Sequence, residues 1–369
     1  MGHLFRSKVI SVDCYPVALA VATVTMLSCD EMLNHDKPCP LGKHMKLIIQ
    51  IPCFNEAEAL PVTLKDLPRD VPGFDSVEWL VINDGSTDGT AEVALNNGVD
   101  HVVSFTKNQG LARAFLAGLD SCIKLGADVI INTDADNQYM AADIPALVAP
   151  ILAGRADVVI GARPIDEIRS FSLAKKMLQK AGSSVVRFVS KTDIPDAPSG
   201  FRAMTREAAM RFNVFNDYTY TLETIIQAGQ KNIVTTSIPV RVNSTLRPSR
   251  LVKSNSSYIR KSLVTIVRIF VVYKAFRFFI SVGVTALLLG LIGGIRYLCY
   301  YVTGDSAGHV QSLILSSILL GVGFQTILTA FLADLLAVNR RLMEDVQYRV
   351  KKLEYPGTTD HHPGIRKKP

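Results

Sequence analysis

The sequence predicts an α/β domain built on a mainly parallel sheet, followed by an amphipathic segment and two membrane-spanning helices. Three observations carry that reading. From Lys46 onward, apolar runs of strand length alternate with helical patterns, as βαβ units wound with right-handed crossovers require. Polar loops follow those strands, at the edge where open α/β sheets place their crevice. Past residue 277, two apolar stretches each reach the roughly 20 residues needed to cross a bilayer. The bulk numbers agree. The chain has 369 residues, 48% of them hydrophobic, and a mean hydropathy of +0.23. It is too long for one small domain and more apolar than an ordinary soluble enzyme.

Residues 1–44 read as a dispensable extension, with Met45 standing just before the first convincing strand. Val17 to Leu27 is an apolar run of signal-peptide length, but it is too short to span a bilayer, and Asp13 and the lack of a small-residue cleavage site argue against export. The expected strands are Leu47–Ile51, Val77–Ile82, His101–Phe105, Asp128–Thr133, Asp157–Ile160 and Val234–Val242. Helical patterns fall at Glu56–Leu67, Thr87–Asn96, Leu111–Leu125, Ala141–Leu152, Phe171–Ser190 and Tyr218–Ala228. The six cysteines are scattered, with no Cys-x-x-Cys pair. That pattern excludes a zinc site or a disulfide framework and suits a reducing compartment.

The chemistry concentrates where Val129-Ile130-Ile131-Asn132-Thr133 runs into Asp134-Ala135-Asp136-Asn137-Gln138. Two carboxylates at a strand end repel unless a cation sits between them. Hard divalent ions take oxygen ligands and often keep substrate phosphates as the rest. A metal-diphosphate site at Asp134 and Asp136 is the functional reading; a solvated loop is the plain one. The first strand ends Pro52-Cys53-Phe54-Asn55-Glu56 and the second Asn83-Asp84-Gly85-Ser86-Thr87-Asp88-Gly89-Thr90. Gly85 allows a tight turn, Ser86 or Thr87 can cap a helix, and Asp84 stands where a carboxylate can hold a ribose or a base. Each motif alone is ordinary turn chemistry. Polar loops at four strand ends are harder to dismiss.

These motifs, in this order and spacing, make residues 46 to about 255 resemble family 2 glycosyltransferases. The family's commoner second motif begins Asp-Asp-Gly-Ser; Asn83 replaces the first Asp, which leaves Asp84 as the nucleotide contact. The resemblance implies a nucleotide-sugar-binding fold (GT-A type, Rossmann-like). Further segments resemble the polyprenyl-phosphate glycosyltransferases, including dolichyl-phosphate mannose synthases and bacterial polyprenyl-phosphate glucosyltransferases. They are Gly161-Ala162-Arg163, Asp196-Ala197-Pro198-Ser199-Gly200-Phe201-Arg202, a helix carrying Glu223, and Arg247-Pro248-Ser249-Arg250-Leu251-Val252-Lys253. By that resemblance Asp134, Asp136 and Gln138 hold Mg²⁺ or Mn²⁺. Pro52, Phe54, Glu56 and Asp84 contact the nucleotide, and Asp134, Ala135, Asp136 and Arg163 complete the nucleotide-sugar site. Arg163, Arg247 and Lys253 face the diphosphate or the acceptor phosphate, with Arg250 in the same basic stretch. Asp136, Asp196 and Arg202 are the residues expected at the reaction centre. Asp196 is a base candidate or, equally, a turn residue or an orienter of Arg202.

A transferase joining a nucleotide diphosphate-sugar to a lipid phosphate gathers several negative charges, of which a metal offsets two; Arg and Lys serve the others. The same basic stretch could instead touch anionic headgroups. Tyr258 to Lys274 fits an amphipathic helix lying in the interface. The segments at 256–277, 278–338 and 339–369 then read as a juxtamembrane element, a transmembrane hairpin and a tail that is helical to Lys352. Basic residues flank the hairpin's outer ends and are absent from its Thr303–His309 loop. This puts the catalytic domain and both termini in the cytoplasm. Arg296 is read as snorkelling. Gly290, Gly293, Gly294, Gly321 and Gly323 permit close helix packing, within the pair or in a homo-oligomer.

The expected activity is inverting sugar transfer from a nucleotide diphosphate-sugar to a polyprenyl phosphate at the membrane face. A processive polysaccharide synthase of the same family would carry Gln-x-x-Arg-Trp, but the only tryptophan is Trp79. A silent scaffold on the same fold would have lost its carboxylates. A nucleic-acid binder would interleave cations with aromatics, whereas here the net charge of +7 gathers at the membrane junction.

Overall fold

The computed structural model describes residues 44–164, 183–184, 186–214, 220–243, 264, 274–304, 308 and 310–355. The extension 1–43, all of the segment 165–182 and nearly all of the amphipathic segment lie outside them, as do Arg247, Arg250 and Lys253.

Seven strands form one sheet in the order β3-β2-β1-β4-β6-β5-β7. They are β1 (Lys46–Cys53), β2 (Ser76–Asn83), β3 (His101–Ser104), β4 (Val129–Asn132), β5 (Val158–Ala162), β6 (Arg202–Thr205) and β7 (Thr235–Pro239). The helices of this part are α1 (Leu60–Asp66), α2 (Thr90–Asn96), α3 (Leu111–Lys124), α4 (Ile144–Leu152), α5 (Arg206–Arg211) and α6 (Tyr220–Gln230). All pairings are parallel except those of β6, which runs antiparallel to β4 and β5. The chain steps outward from β1 to β3, then returns to the other side of β1 at β4. That reversal opens a crevice beyond the carboxyl ends of β1 and β4.

Alternation along β1 explains its central place. Leu47, Ile49 and Ile51 pack into one apolar core, and Ile48 packs into the other on the opposite face. A strand covered on both faces has to be apolar almost throughout. The exception is Gln50, which stands opposite Asn132 of β4.

Two helices start later than the periodicity predicts, and for one reason. The chain after β1 does not enter α1 at Glu56: Asn55 takes a positive φ of 55°, and the N–H groups that follow turn to the loop after β2. Asn55 donates to Ser86 Oγ, Glu56 to Thr90 Oγ1 and Ala57 to an Asp88 carboxylate oxygen, at 2.9–3.0 Å. Asp88 and Gly89 are likewise drawn into the turn, so α2 begins at Thr90.

The apolar C-terminal part forms α7 (Ala275–Val302) and α8 (Val310–Glu354), both long and apolar enough to cross a membrane. The two pack on each other through glycines. A Cβ on Gly283 would meet Ile327, and one on Gly323 would meet Leu287, each below 3.0 Å. Ser316 Oγ donates to the Gly290 carbonyl. Gly321 has nothing within 4 Å. The small residues Gly283, Gly290 and Gly323 therefore serve the hairpin itself.

The tail expected after residue 338 is no separate element: α8 continues unbroken for 45 residues, about 67 Å at 1.5 Å per residue. Its last four turns dock on the α/β domain. Glu344, 8% exposed, pairs with Lys231 at 3.0 Å and with Arg340. Arg340 also reaches Glu223 of α6 at 3.8 Å. Tyr348 donates to Glu207, and Lys351 pairs with Asp120 of α3 at 2.7 Å.

Candidate active site

Asn132, the last residue of β4, organises the crevice from below. It is fully buried and accepts from Gln50 Nε2 at 2.9 Å. Its amide donates to the Gly200 carbonyl (2.9 Å) and the Tyr220 hydroxyl (3.0 Å). The sequence reading passed over it, although a polar pair on two buried, adjacent strands was a visible signal.

The loop that follows is fastened on several sides. Thr63 of α1 donates to the Ala135 carbonyl at 2.7 Å, and Asn137 donates to Asp66 of the same helix at 2.8 Å. Asn137 takes a positive φ of 54°, which turns the chain sharply. Asn243 pairs with Gln138 and Asn137 from the far side. Asp136 accepts from the Gln138 N–H at 3.2 Å. Gly200 presses against Asp134, so that a Cβ there would lie 2.9 and 3.0 Å from its two carboxylate oxygens. Gly200 is itself held, because its N–H donates to the Tyr139 hydroxyl at 3.0 Å.

Asp134 and Asp136 are both half-buried. Burial and then the Asp136 charge push the Asp134 carboxyl up to about 7, against the pull of Arg163 and Arg202. Two carboxylates that resist ionising together are the electrostatic setting a divalent cation relieves. No group of three or more His, Cys, Asp or Glu converges among the described residues. The chain thus supplies two hard oxygen donors, with the Gln138 amide close by in sequence, and leaves the other positions to a ligand. That donor set fits Mg²⁺ or Mn²⁺ carrying a diphosphate.

Arg163 and Asp196 form a bidentate pair beside this loop, at 2.7 and 3.1 Å, with side chains 9% and 1% exposed. Burial opposes the Arg163 charge, but Tyr139 and Asp196 outweigh it and drive its pKa further up, so the guanidinium stays charged. Asp196 was expected as a base, as a turn residue or as the orienter of Arg202. Both its oxygens accept from Arg163, and its carbonyl accepts from the Ser199 N–H at 3.2 Å, which closes the turn. A cavity of about 560 Å³ adjoins Arg163 and is lined by Asp143, Pro239, Val240 and Arg241.

Arg202, expected at the reaction centre, is 1% exposed and lies behind the loop. It donates to Ser199, to the Thr221 carbonyl and to Thr224 Oγ1. It ties the Ser199–Gly200 turn to α6 and adds positive potential behind Asp134. Asp84 is also turned to a structural task. It is 3% exposed, and its two oxygens accept from the N–H groups of Gln109 (2.7 Å) and Gly110 (2.9 Å). Gly85 packs so closely that a Cβ would lie 2.3 Å from the Lys107 backbone, and its φ is +66°. The β2 and β3 loops thereby form one wall of the crevice. In the adjoining loop after β1, Phe54 is 42% exposed, Pro52 is buried, and Glu56 is near enough to raise the Asp134 pKa.

Comparison with known proteins bears on the family and the fold. Residues 48–212 match the model of Glycosyl transferase family 2. An undecaprenyl-phosphate mannosyltransferase of Micrococcus luteus is 33% identical over 165 residues, covering 43% of this chain and 66% of that relative, just under two thirds of its length. A polyprenol monophosphomannose synthase of Mycolicibacterium smegmatis is 27% identical, covering 62% of this chain and 88% of the relative. Glycosyltransferase AglJ of Haloferax volcanii is 29% identical over 83% of this chain and 97% of its own. Among solved structures, glucosyl-3-phosphoglycerate synthase of Mycobacterium tuberculosis superposes with a TM-score of 0.50 at 17% identity, covering 62% of this chain and 79% of that one. That likeness establishes the fold.

Proposed function

We propose that the chain, whose residues 48–212 match the model of Glycosyl transferase family 2, is a member of that family and transfers a sugar from a nucleotide diphosphate-sugar to a polyprenyl phosphate. The observation that carries this reading is the Asp134–Asp136 loop at the β1/β4 crevice, fastened from α1, from Asn243 and from Gly200, with a charged Arg163 beside it. The names of the relatives and the two candidate spans support a lipid acceptor. The basic residues flanking the hairpin and the loop without Lys or Arg support a cytoplasmic active site.

Asp134 and Asp136, with Gln138, hold the metal, which offsets charge on the donor diphosphate when bound. Arg163, fixed by Asp196, supplies a planar cation to phosphate oxygens. Phe54 offers an aromatic face and Glu56 a carboxylate to the nucleoside. An acceptor phosphate oxygen attacks the anomeric carbon opposite the leaving group. One C–O bond forms as the bond to the donor's β-phosphate breaks, and the nucleoside diphosphate departs with the electron pair. The configuration inverts. The attacking phosphate is already anionic near neutral pH, so the step needs no deprotonation, consistent with the engagement of Asp196 elsewhere.

The test is direct. Membranes carrying the chain are incubated with Mg²⁺ or Mn²⁺, a panel of nucleotide sugars and a polyprenyl phosphate, and the lipids are extracted. An anionic glycolipid is expected with at least one donor. Asp136→Ala or a chelator should remove it. Failure with every donor, or near-normal turnover by Asp136→Ala, overturns the reading.

A further inference from the structure

The docked end of α8 has two unlike sides. One meets the catalytic domain through Arg340, Glu344, Tyr348 and Lys351. The other carries Leu342, Met343, Val346, Val350 and Leu353, which are 60, 73, 54, 53 and 82% exposed. These five stand past Arg341, beyond the apolar stretch that ends at Val338. An unbroken helix that continues a span leaves the bilayer at the span's own tilt, so this side cannot lie flat in the headgroups. A bare apolar stripe of this kind marks an interaction surface.

Its spacing says what it fits. Leu336, Asn339, Met343, Val346, Val350 and Leu353 follow one another at alternating steps of three and four residues, the a/d repeat of a coiled coil. Leu336 is 68% exposed and Asn339 is exposed too, so the seam is open along its whole length. Arg349 precedes one a position and Glu354 follows the next d position. In a parallel, in-register pair those are facing flank positions of opposite charge. Arg349, 74% exposed, pairs with Asp345 one turn back at 2.8 Å, and Glu354 accepts from the Tyr355 hydroxyl at 2.6 Å; both are exposed side chains that exchange these partners for each other across the seam.

We propose that this stripe is the seam of a parallel two-stranded coiled coil with a second copy of the chain. Two copies inserted in one membrane have the same orientation, so their α8 tails run parallel and at one height. Asn339, at a d position, then stands opposite Asn339, and the two amides hydrogen-bond across the seam. The seam beyond the span is only about 24 Å long at 1.5 Å per residue, too short to pair firmly in free solution. Anchoring by the spans supplies the high effective concentration that a short seam requires. The proposal rests on α7 and α8 crossing a membrane and is independent of which sugar or lipid is used.

The experiment uses the full chain in membranes, with Cys14, Cys29, Cys39 and Cys299 replaced by Ser; Cys53 and Cys122 are buried. Single variants Val346→Cys, Val350→Cys and Asp345→Cys are oxidised with copper phenanthroline. Covalent dimer should form at the first two positions at least ten times faster than at Asp345, which is exposed on the side away from the seam. Independently, Val346→Glu with Val350→Glu should turn dimers into monomers, counted by photobleaching steps in vesicles. Absence of dimer, or equal rates at all three positions, overturns the proposal. So does shielding of Val346→Cys from a maleimide without dimer formation, which would assign the face to lipid or to the chain's own segment.

Discussion

Gly200→Ala tests the idea that the Ser-Gly-Phe-Arg turn sets the position of Asp134. The new Cβ would stand 2.9 and 3.0 Å from the two Asp134 oxygens, well inside the roughly 3.5–4.0 Å that non-bonded heavy atoms prefer. The glycine cannot retreat, because Tyr139 and Asn132 hold its N–H and its carbonyl. Its φ lies outside the left-handed region, so alanine adds no backbone strain and the effect isolates the contact. Overpacking of this size costs about 1–3 kcal/mol, which the fold should survive. The carboxylate must move by several tenths of an ångström, and a misplacement approaching 1 Å costs about 100-fold in rate. Initial rates of the full chain in detergent should therefore show kcat/KM down about 10- to 100-fold and a higher metal concentration for half-activity, with the melting temperature lowered only modestly. Rates within threefold of the parent at unchanged metal demand would refute the wedge.

Other outcomes follow from the same geometry. Asp196→Asn removes one half of a buried pair, and the stranded Arg163 charge should cost about 3–5 kcal/mol in denaturant melts and most of the activity. Asp88 is pushed up by burial, but the Thr90 hydroxyl and the N–H groups of Ala57 and Thr90 hold it below the ordinary carboxylate range. Its contribution is thus present above the unfolded value and lost as pH falls through the lower folded one. Asp88→Asn should accordingly lower the melting temperature at pH 7 and not at pH 2. A double-mutant cycle on Lys231→Met and Glu344→Gln should give a coupling of about 1–3 kcal/mol; a coupling near zero would mean that the end of α8 is not docked.

The sequence carried the frame of this domain because its signals were local. Alternating apolar runs marked six of the seven strands, and the polar strand ends marked the crevice edge. β6 escaped because Arg202 opens it: a guanidinium inside a buried strand is legible only once Thr221, Thr224 and Ser199 are seen around it. The same distance effect hid the tasks of Asp84 and Asp196. A carboxylate that holds a loop 25 residues away reads, in one dimension, like a carboxylate that holds a substrate. The pair of long apolar helices was legible from hydropathy, whereas the docking of the second depends on Lys231, Glu207 and Asp120, which no local pattern joins to residues 340–351.

That docking makes α8 a strut: one unbroken helix from Val310 to Glu354 is pinned at its end to Asp120, Lys231 and Glu207, so the crevice and the apolar helix pair keep one spacing. On the proposed function, with the helix pair in a bilayer, that spacing sorts lipid acceptors by how far the phosphate can stand off the leaflet, before any pocket contacts them.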